Sequence, residues 1–318
     1  MRWASALALC LLAGAASAQS GYPSRPVRII VPSPPAGGTD IVARVLASHF
    51  SKALGQQFFV ENKPGAGNMI GIEAAARAPA DGYTLLMVAS TLVLNSVLYK
   101  QVPYDPVRDF APITLAATAP NILVVNPKLP IKSVADLIAA AKAQPGKLTY
   151  GTPGIGTSPH LCMELFKSLA GVDLQHVPYK GTAAAVMDII GGQIDVAFAT
   201  ALTAKPLVDA GRLRALAVSG PRRAAALPDV PPVAEAGVPG YEAMQWYGLV
   251  APAGIAAPVI ERLHREAIVA LRSREMKERL ATDGAEPLGT TPAEFAAFIG
   301  GERDKWTRVR DTAGIERQ

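Results

Sequence analysis

A short β-branched run, a turn rich in glycine and hydroxyl residues, and a helix start follow one another repeatedly along this 318-residue chain. The first unit runs VRIIV over 27–31, turns through Pro34, Pro35, Ala36, Gly37, Gly38 and Thr39, and enters a helix expected over 40–54. Val42, Val45, Leu46 and His49 share one face of that helix, and Gly55 follows as the residue that ends it. Further strands are expected at 58–60, 84–88, 148–150, 174–177, 195–199 and 214–218, with helices at 134–143, 159–170 and 183–190 between them. Alternation of this kind builds parallel sheets with crossover helices. The fold class is therefore α/β, and a chain of this length usually divides into two lobes.

Two extended runs without a helix signal, 114–125 (TLAATAPNILVV) and 245–252 (QWYGLVAP), read as crossings between the lobes. The expected division is residues 19–115 plus 250–318 in one lobe and 116–249 in the other, with a ligand cleft between them. The last third is mostly helical. There Thr291-Pro292-Ala293-Glu294 is a capping box, and Phe295, Phe298, Ile299, Trp306 and Val309 form an apolar stripe.

The first eighteen residues set the compartment. Arg2 is followed by an apolar run and by Ala16-Ser17-Ala18, the pattern of a secretory signal cleaved after Ala18. The run is shorter than the roughly 18 uncharged residues of a spanning helix. Export to the periplasm is expected. The net charge of +5 becomes +4 without Arg2, with no basic run, so nucleic acid is not an expected partner. Cys10 would leave with the signal, so Cys162 stands alone and no intrachain disulfide is expected.

Three loops carry the chemistry, each joining a strand end to a helix start: 34–40, 151–160 and 178–182. Glycines there let backbone N–H groups approach a ligand, hydroxyls can cap or donate, and a helix start attracts carboxylate or phosphate. Ordinary turn chemistry explains any one of them; three at corresponding places in two lobes point to a site. No dinucleotide or phosphate-loop motif follows a strand, and the four histidines are too scattered for a metal, so neither cofactor nor metal is expected. An enzyme is the competing class. Ser158 and His160 suggest a hydrolase pair, but side chains two apart at a helix start diverge, and no nucleophile elbow surrounds Ser158.

The sequence resembles the substrate-binding proteins of tripartite tricarboxylate transporters, the Bug or TctC-like family. The resemblance is carried by VPSPPAGGTDIVAR (31–44), VENKPGAG (60–67), PADGYTLL (79–86), LTYGTPGIGTSPHL (148–161), HVPYKG (176–181) and GGQIDVAF (191–198). It continues through GRLRALAVS (211–219), AEAGVPGYEA (234–243), WYGLVAPAG (246–254) and TPAEFAAFIGGERDKW (291–306). Ser33 stands where the family commonly has an aromatic residue.

The resemblance implies a two-lobed, type II periplasmic-binding-protein-like fold closing on a small organic acid or amino acid. It also implies a monomer that delivers its ligand to membrane transporter subunits; a sensor signalling to a membrane receptor is the alternative. Carried over residue by residue, Ala36, Gly37, Gly38 and Thr39 are expected first-lobe contacts, with Ser90 and Thr91 as further candidates. Gly156, Thr157, Ser158, His160, Tyr179, Lys180, Gly181 and Asp195 are expected from the second lobe. His160 and Asp195 also have local readings, as a packing histidine and as a strand-start residue bonding nearby N–H groups. If the first loop approaches the ligand through its backbone, Gly38→Leu weakens binding, and unchanged affinity by calorimetric titration would remove that loop from the site.

Overall fold

A computed structural model gives the fold of residues 21–318, with Ala36, Lys180, Ala226, Thr282, Asp283 and Ala313 outside the described residues. The expected signal segment and cleavage point, and the expected contacts Ala36 and Lys180, therefore lie outside it. In the first half, strands β1 (Val27–Val31), β2 (Phe58–Asn62) and β3 (Thr84–Ala89) alternate with helices α1 (Gly38–Leu54), α2 (Met69–Ala76) and α3 (Thr91–Leu98). The long strand β4 (Phe110–Val125) leads to helix α4 (Val134–Ala143) and strand β5 (Thr149–Thr152). Next come helix α5 (Ser158–Ala170), strand β6 (Gln175–Pro178), helix α6 (Thr182–Gly191), strand β7 (Val196–Thr200), helix α7 (Ala201–Asp209) and strand β8 (Arg214–Val218). Strand β9 (Met244–Pro252) leads back, and helices α8 (Ala257–Arg272) and α9 (Arg274–Ala281), the short strand β10 (Glu286–Pro287) and helix α10 (Pro292–Thr312) complete the chain.

The strands join in the order β2-β1-β3-β9-β4-β7-β5-β6, with β8 and β10 also paired to β4. β1 pairs in parallel with β2 and β3, and β5 pairs in parallel with β6 and β7, as the strand–helix alternation requires. The two expected crossings are the antiparallel members. β4 pairs with β9 from Phe110 to Pro120, then with β7 and β8 from Asn121 to Val125. One strand thus changes partners midway and ties two half-sheets together. Apolar clusters cover both faces, as a sheet with crossover helices demands: Thr84–Ala89 is buried throughout. α1 and α8 cover one face of the first half beside Val31, Leu46 and Leu263, while α10 covers the other with Phe295 and Trp306.

Several boundaries differ from the sequence reading. α1 begins at Gly38 rather than Asp40, and its N-cap is Gly37, so Thr39 lies inside the first turn and caps nothing. Helices α2, α3 and α7 were not expected. α3 follows β3 after Ser90 alone, with no glycine or proline between them to mark a turn. The capping box is present: Thr291 Oγ1 accepts from Glu294 N at 3.2 Å, and Glu294 Oε2 accepts from Thr291 N at 2.8 Å. Trp246 is core, its Nε1 donating to buried Glu302 Oε2 at 3.1 Å, and Trp306 Nε1 donates to the same oxygen at 3.0 Å.

Gly248, on β9, fits only because it has no side chain: an added Cβ would overlap the Phe295 ring. Phe295 is fully buried and has little room to yield. Gly248→Ala is expected to cost about 1–3 kcal/mol of stability through overpacking. Urea unfolding measures this, and an unchanged midpoint would contradict the packing of α10 on β9.

Candidate functional site

In each half-sheet, the parallel strands send their carboxyl ends toward the same side, and helices begin there. In open α/β sheets this is the end where ligands bind. A cavity of about 210 Å³ opens at that end, between the halves. Thr91 lines it from the start of α3, and Gln245 and Tyr247 from β9. Pro153, Thr157, Ser158 and Pro159 face it from the loop into α5, Thr182 from the start of α6, and Thr200 from the start of α7. Asn121 lines it from the point where β4 changes partners.

Four helix starts therefore meet one cavity. The first amides of a helix have no intrahelical acceptor and carry partial positive charge. A side-chain cap often satisfies one of them, as Ser133 does for α4 and Thr200 for α7. The starts of α3, α5 and α6 have no side-chain cap. Among the described residues, no Asp, Glu, Lys or Arg lines the cavity. Its electrostatic character comes from backbone dipoles and hydroxyls.

Hydrogen bonds behind the cavity orient these groups as donors. Asn121 Nδ2 donates to Ser158 Oγ at 2.9 Å, which leaves the Ser158 proton to be given away. Asn68 Nδ2 donates to Thr91 Oγ1 at 3.1 Å, with the same consequence. Buried Ser90 donates to Gln245 Oε1 at 2.8 Å, so the other end of that amide, its NH₂, remains to donate. Thr157 differs: its hydroxyl donates to Gly154 O at 2.7 Å and holds the turn.

The loop into α5 rests on two histidines. Thr152 Oγ1 meets His176 Nε2 at 2.6 Å and accepts from Gly154 N at 3.2 Å. His160 Nδ1 accepts from Gly156 N at 3.4 Å. The His160 and His176 rings lie 4.7 Å apart, and Tyr150 stacks on His176 at 4.9 Å. Burial, with His176 beside it, pushes the His160 pKa down to about 4, and burial lowers His176 as well. Both rings are neutral at neutral pH, as the acceptor role of His160 requires. Gly156 has φ +80°, and a Cβ there would come within 3.2 Å of Leu98 on α3, so this loop packs against the other half of the molecule.

The expected contacts thus separate. Thr91, Thr157 and Ser158 line the cavity, Ser90 orients Gln245, and Gly156 and His160 shape the loop. Gly181, at φ +119°, is the N-cap of α6 and turns the chain into Thr182. Gly37, Gly38 and Thr39 sit at the carboxyl end of β1, one strand out from β3 and Thr91, and do not line the cavity. Asn62 Nδ2 ties that loop down by donating to Ser33 O at 3.0 Å and Asp40 Oδ1 at 2.9 Å, while buried Ser33 Oγ has no hydrogen-bond partner among the described residues.

Tyr179 turns away, its hydroxyl donating to Asp188 Oδ2 at 2.7 Å. Asp195 is not at the cavity. It precedes β7 at the amino end, where its Oδ2 accepts from Thr149 N at 2.7 Å and from Thr149 Oγ1 at 3.0 Å. Its local reading holds because the loops lie at the opposite ends of these strands.

Ser158 and His160 form no hydrolase pair. Ser158 Oγ meets Asn121 and, at 3.9 Å, Cys162 Sγ, whereas His160 meets Gly156 and His176. Buried Cys162, its pKa raised to about 11 by desolvation, is no nucleophile either. Thr182 closes the third loop that the sequence offered, whereas Asn121, Thr200, Gln245 and Tyr247 were not expected at the site. The signal for two of them was present: Asn121 and Gln245 are polar interruptions in otherwise apolar crossing strands.

The family model for the tripartite tricarboxylate transporter family receptor, TctC, matches residues 42–315. The chain is 38% identical to the protein BugT of Bordetella pertussis over 297 residues, covering 93% of this chain and 91% of the relative. Among solved structures, R. palustris Rpa4515 with adipate superposes with a TM-score of 0.82 at 37% identity, covering 93% of this chain and 99% of that one. The periplasmic binding protein BugD superposes with a TM-score of 0.79 at 34% identity, over 93% of this chain and all of that one. MatC from Rhodopseudomonas palustris with bound malate gives 0.78 at 29% identity, over 91% and 99%. With its two half-sheets, its interlobe cavity and this match along nearly the whole chain, the protein belongs to the TctC family of tripartite tricarboxylate transporter receptors.

Proposed function

We propose that this chain is a periplasmic solute receptor that captures a small dicarboxylate by closing its two lobes. The observation that carries this reading is the meeting of uncapped helix starts at a cavity with no acidic side chain among the described residues. One carboxylate rests on the first amides of α5 and α6, with the Ser158 hydroxyl and the Gln245 NH₂ donating to it. The second reaches toward Thr91 and, in a longer ligand, out of the cavity toward Gly37, Gly38 and Thr39. Rpa4515 with adipate and MatC with malate are relatives holding dicarboxylates, which supports a ligand with two such groups.

The lobes divide where β4 changes partners, between Pro120 and Asn121, and where β9 begins at Met244. Contacts that span the cleft exist only when the lobes close, so they alone favour the closed state. The chain performs no chemistry on its ligand, and it hands the ligand to the membrane subunits of its transporter. Export uses the signal segment 1–18, and amino-terminal sequencing of the mature protein is expected to begin at Gln19.

Three outcomes follow. Calorimetric titration with adipate and malate is expected to show binding without turnover; conversion of either acid would contradict the receptor reading. Ser158→Ala removes a hydrogen bond to a charged group and is expected to weaken binding by about 1.5–3 kcal/mol. Thr157→Ala, whose hydroxyl serves Gly154, acts only through the loop, and equal losses in the two variants would contradict the donor assignment.

The third outcome concerns pH. Unfolded, His160 takes up a proton as pH falls through about 6.5. Folded, it does so only near 4. Stability present above 6.5 is therefore lost progressively between the two values. Lys167 opposes protonation and Glu164 favours it; both lie on α5 beneath the rings. The unfolding midpoint is expected to fall over this range, and His160→Gln to flatten its pH profile. Profiles as steep in the variant as in the parent would contradict the role given to His160.

A further inference from the structure

A second cavity, of about 320 Å³, lies on the other face of the two crossing strands. Side chains alternate along a strand. On β9, Gln245 and Tyr247 face the cleft, so Met244 faces away. Across from it on β4, Pro120 pairs with Met244 and also faces away, as does Thr118, the partner of Trp246. These residues form the floor. The walls come from both halves of the molecule: Arg222 and Arg223 from the segment after β8, Leu288 just past β10, and Phe298 and Lys305 from α10.

This cavity is chemically unlike the cleft. Met244, Leu288, Phe298 and Leu115 make its surface mainly apolar, and a thioether beside a ring suits an aromatic guest. Among the described residues, three acids, Glu242, Glu286 and Glu302, face three bases, Arg222, Arg223 and Lys305, and exposed Glu242 points its charge to solvent at the rim. Glu302 accepts from both Trp246 and Trp306 and pairs with Lys305. Glu286 meets Arg222 only at 3.9 Å, and Arg223 meets Glu235 at 3.5 Å, all four side chains being exposed. Ion pairs this long and exposed hold weakly and can be exchanged for a guest's anionic group.

We propose that this cavity binds a compact aromatic anion, with its ring against Met244 and Phe298 and its head at Arg222 and Arg223, and that its occupancy is linked to the cleft. The link follows from shared structure: both cavities are built on β4 and β9, one on each face, and both have walls from the two halves. A guest that fixes the spacing on one face biases the bend of the same strands on the other. Linkage of this kind is reciprocal. The binding claim stands whatever the cleft holds, whereas the link rests on the cleft being a carboxylate site.

The probe is 1-anilinonaphthalene-8-sulfonate, titrated by fluorescence into the full mature chain. A single saturable site is expected, weakened at least tenfold by Leu288→Glu and by Arg223→Glu, and unchanged in the cleft variant Ser158→Ala. Leu288 is 45% exposed, so its replacement leaves the core intact, which an unchanged unfolding midpoint confirms. A titration that does not saturate, that ignores both rim substitutions, or that is lost in Ser158→Ala overturns the site. With the probe saturating, adipate affinity is expected to shift at least threefold, and the shift to vanish in Leu288→Glu. Adipate that binds with the same affinity in both conditions overturns the link; adipate that does not bind at all overturns the cleft reading and leaves the second site standing.

Discussion

A carboxylate that leaves water must recover its hydrogen bonds inside the protein, or burial costs several kcal/mol. The fold meets that requirement with main-chain groups. Parallel pairing of β1 with β3 and of β5 with β6 and β7 brings strand ends to one side. Each following helix then starts on that side, because a right-handed crossover must return the chain to the beginning of the next strand. The amides that a helix cannot satisfy for itself are thus gathered around the cavity. Leaving α3, α5 and α6 without side-chain caps preserves those amides for a guest.

Rigidity behind the donors matters as much as the donors. Asn121 on Ser158, Asn68 on Thr91 and Ser90 on Gln245 each fix which end of a polar group faces the cavity. The neutral pair of His160 and His176 supports the glycine turn that leads into α5. The crossing strands provide the other constraint. Because β4 serves both half-sheets, any relative movement of the lobes must pass through it and β9, whose packing against Phe295 tolerates no side chain at Gly248.

Much of this was legible in the sequence, for physical reasons. VRIIV followed by PPAGGT, and LTYGT followed by PGIGTSP, show a strand, a glycine turn and a helix start through periodicity and turn chemistry alone. Both crossings could be read as long apolar runs without helical period. What escaped had weaker local signals. α3 follows β3 with only Ser90 between them, and with no glycine or proline to mark a turn the helix went unread. Thr200 sits at a strand end with no glycine to mark it. Tyr247 faces the cleft only because of strand register, which is set by pairing with β4 rather than by neighbours in sequence. Asp195 keeps its local reading for a reason the topology exposes: it precedes its strand, and ligands gather where strands close. Gly37 and Gly38 form a turn at the carboxyl end of β1, one strand out from β3 and Thr91.

The most direct measurement is a crystal structure of the mature chain with adipate bound. The account places one carboxylate within about 2.7–3.2 Å of main-chain N–H groups at the starts of α5 and α6, with Ser158 Oγ donating to it. A carboxylate held instead by arginine or lysine side chains, or by a metal ion, or seated away from those helix starts, would contradict it.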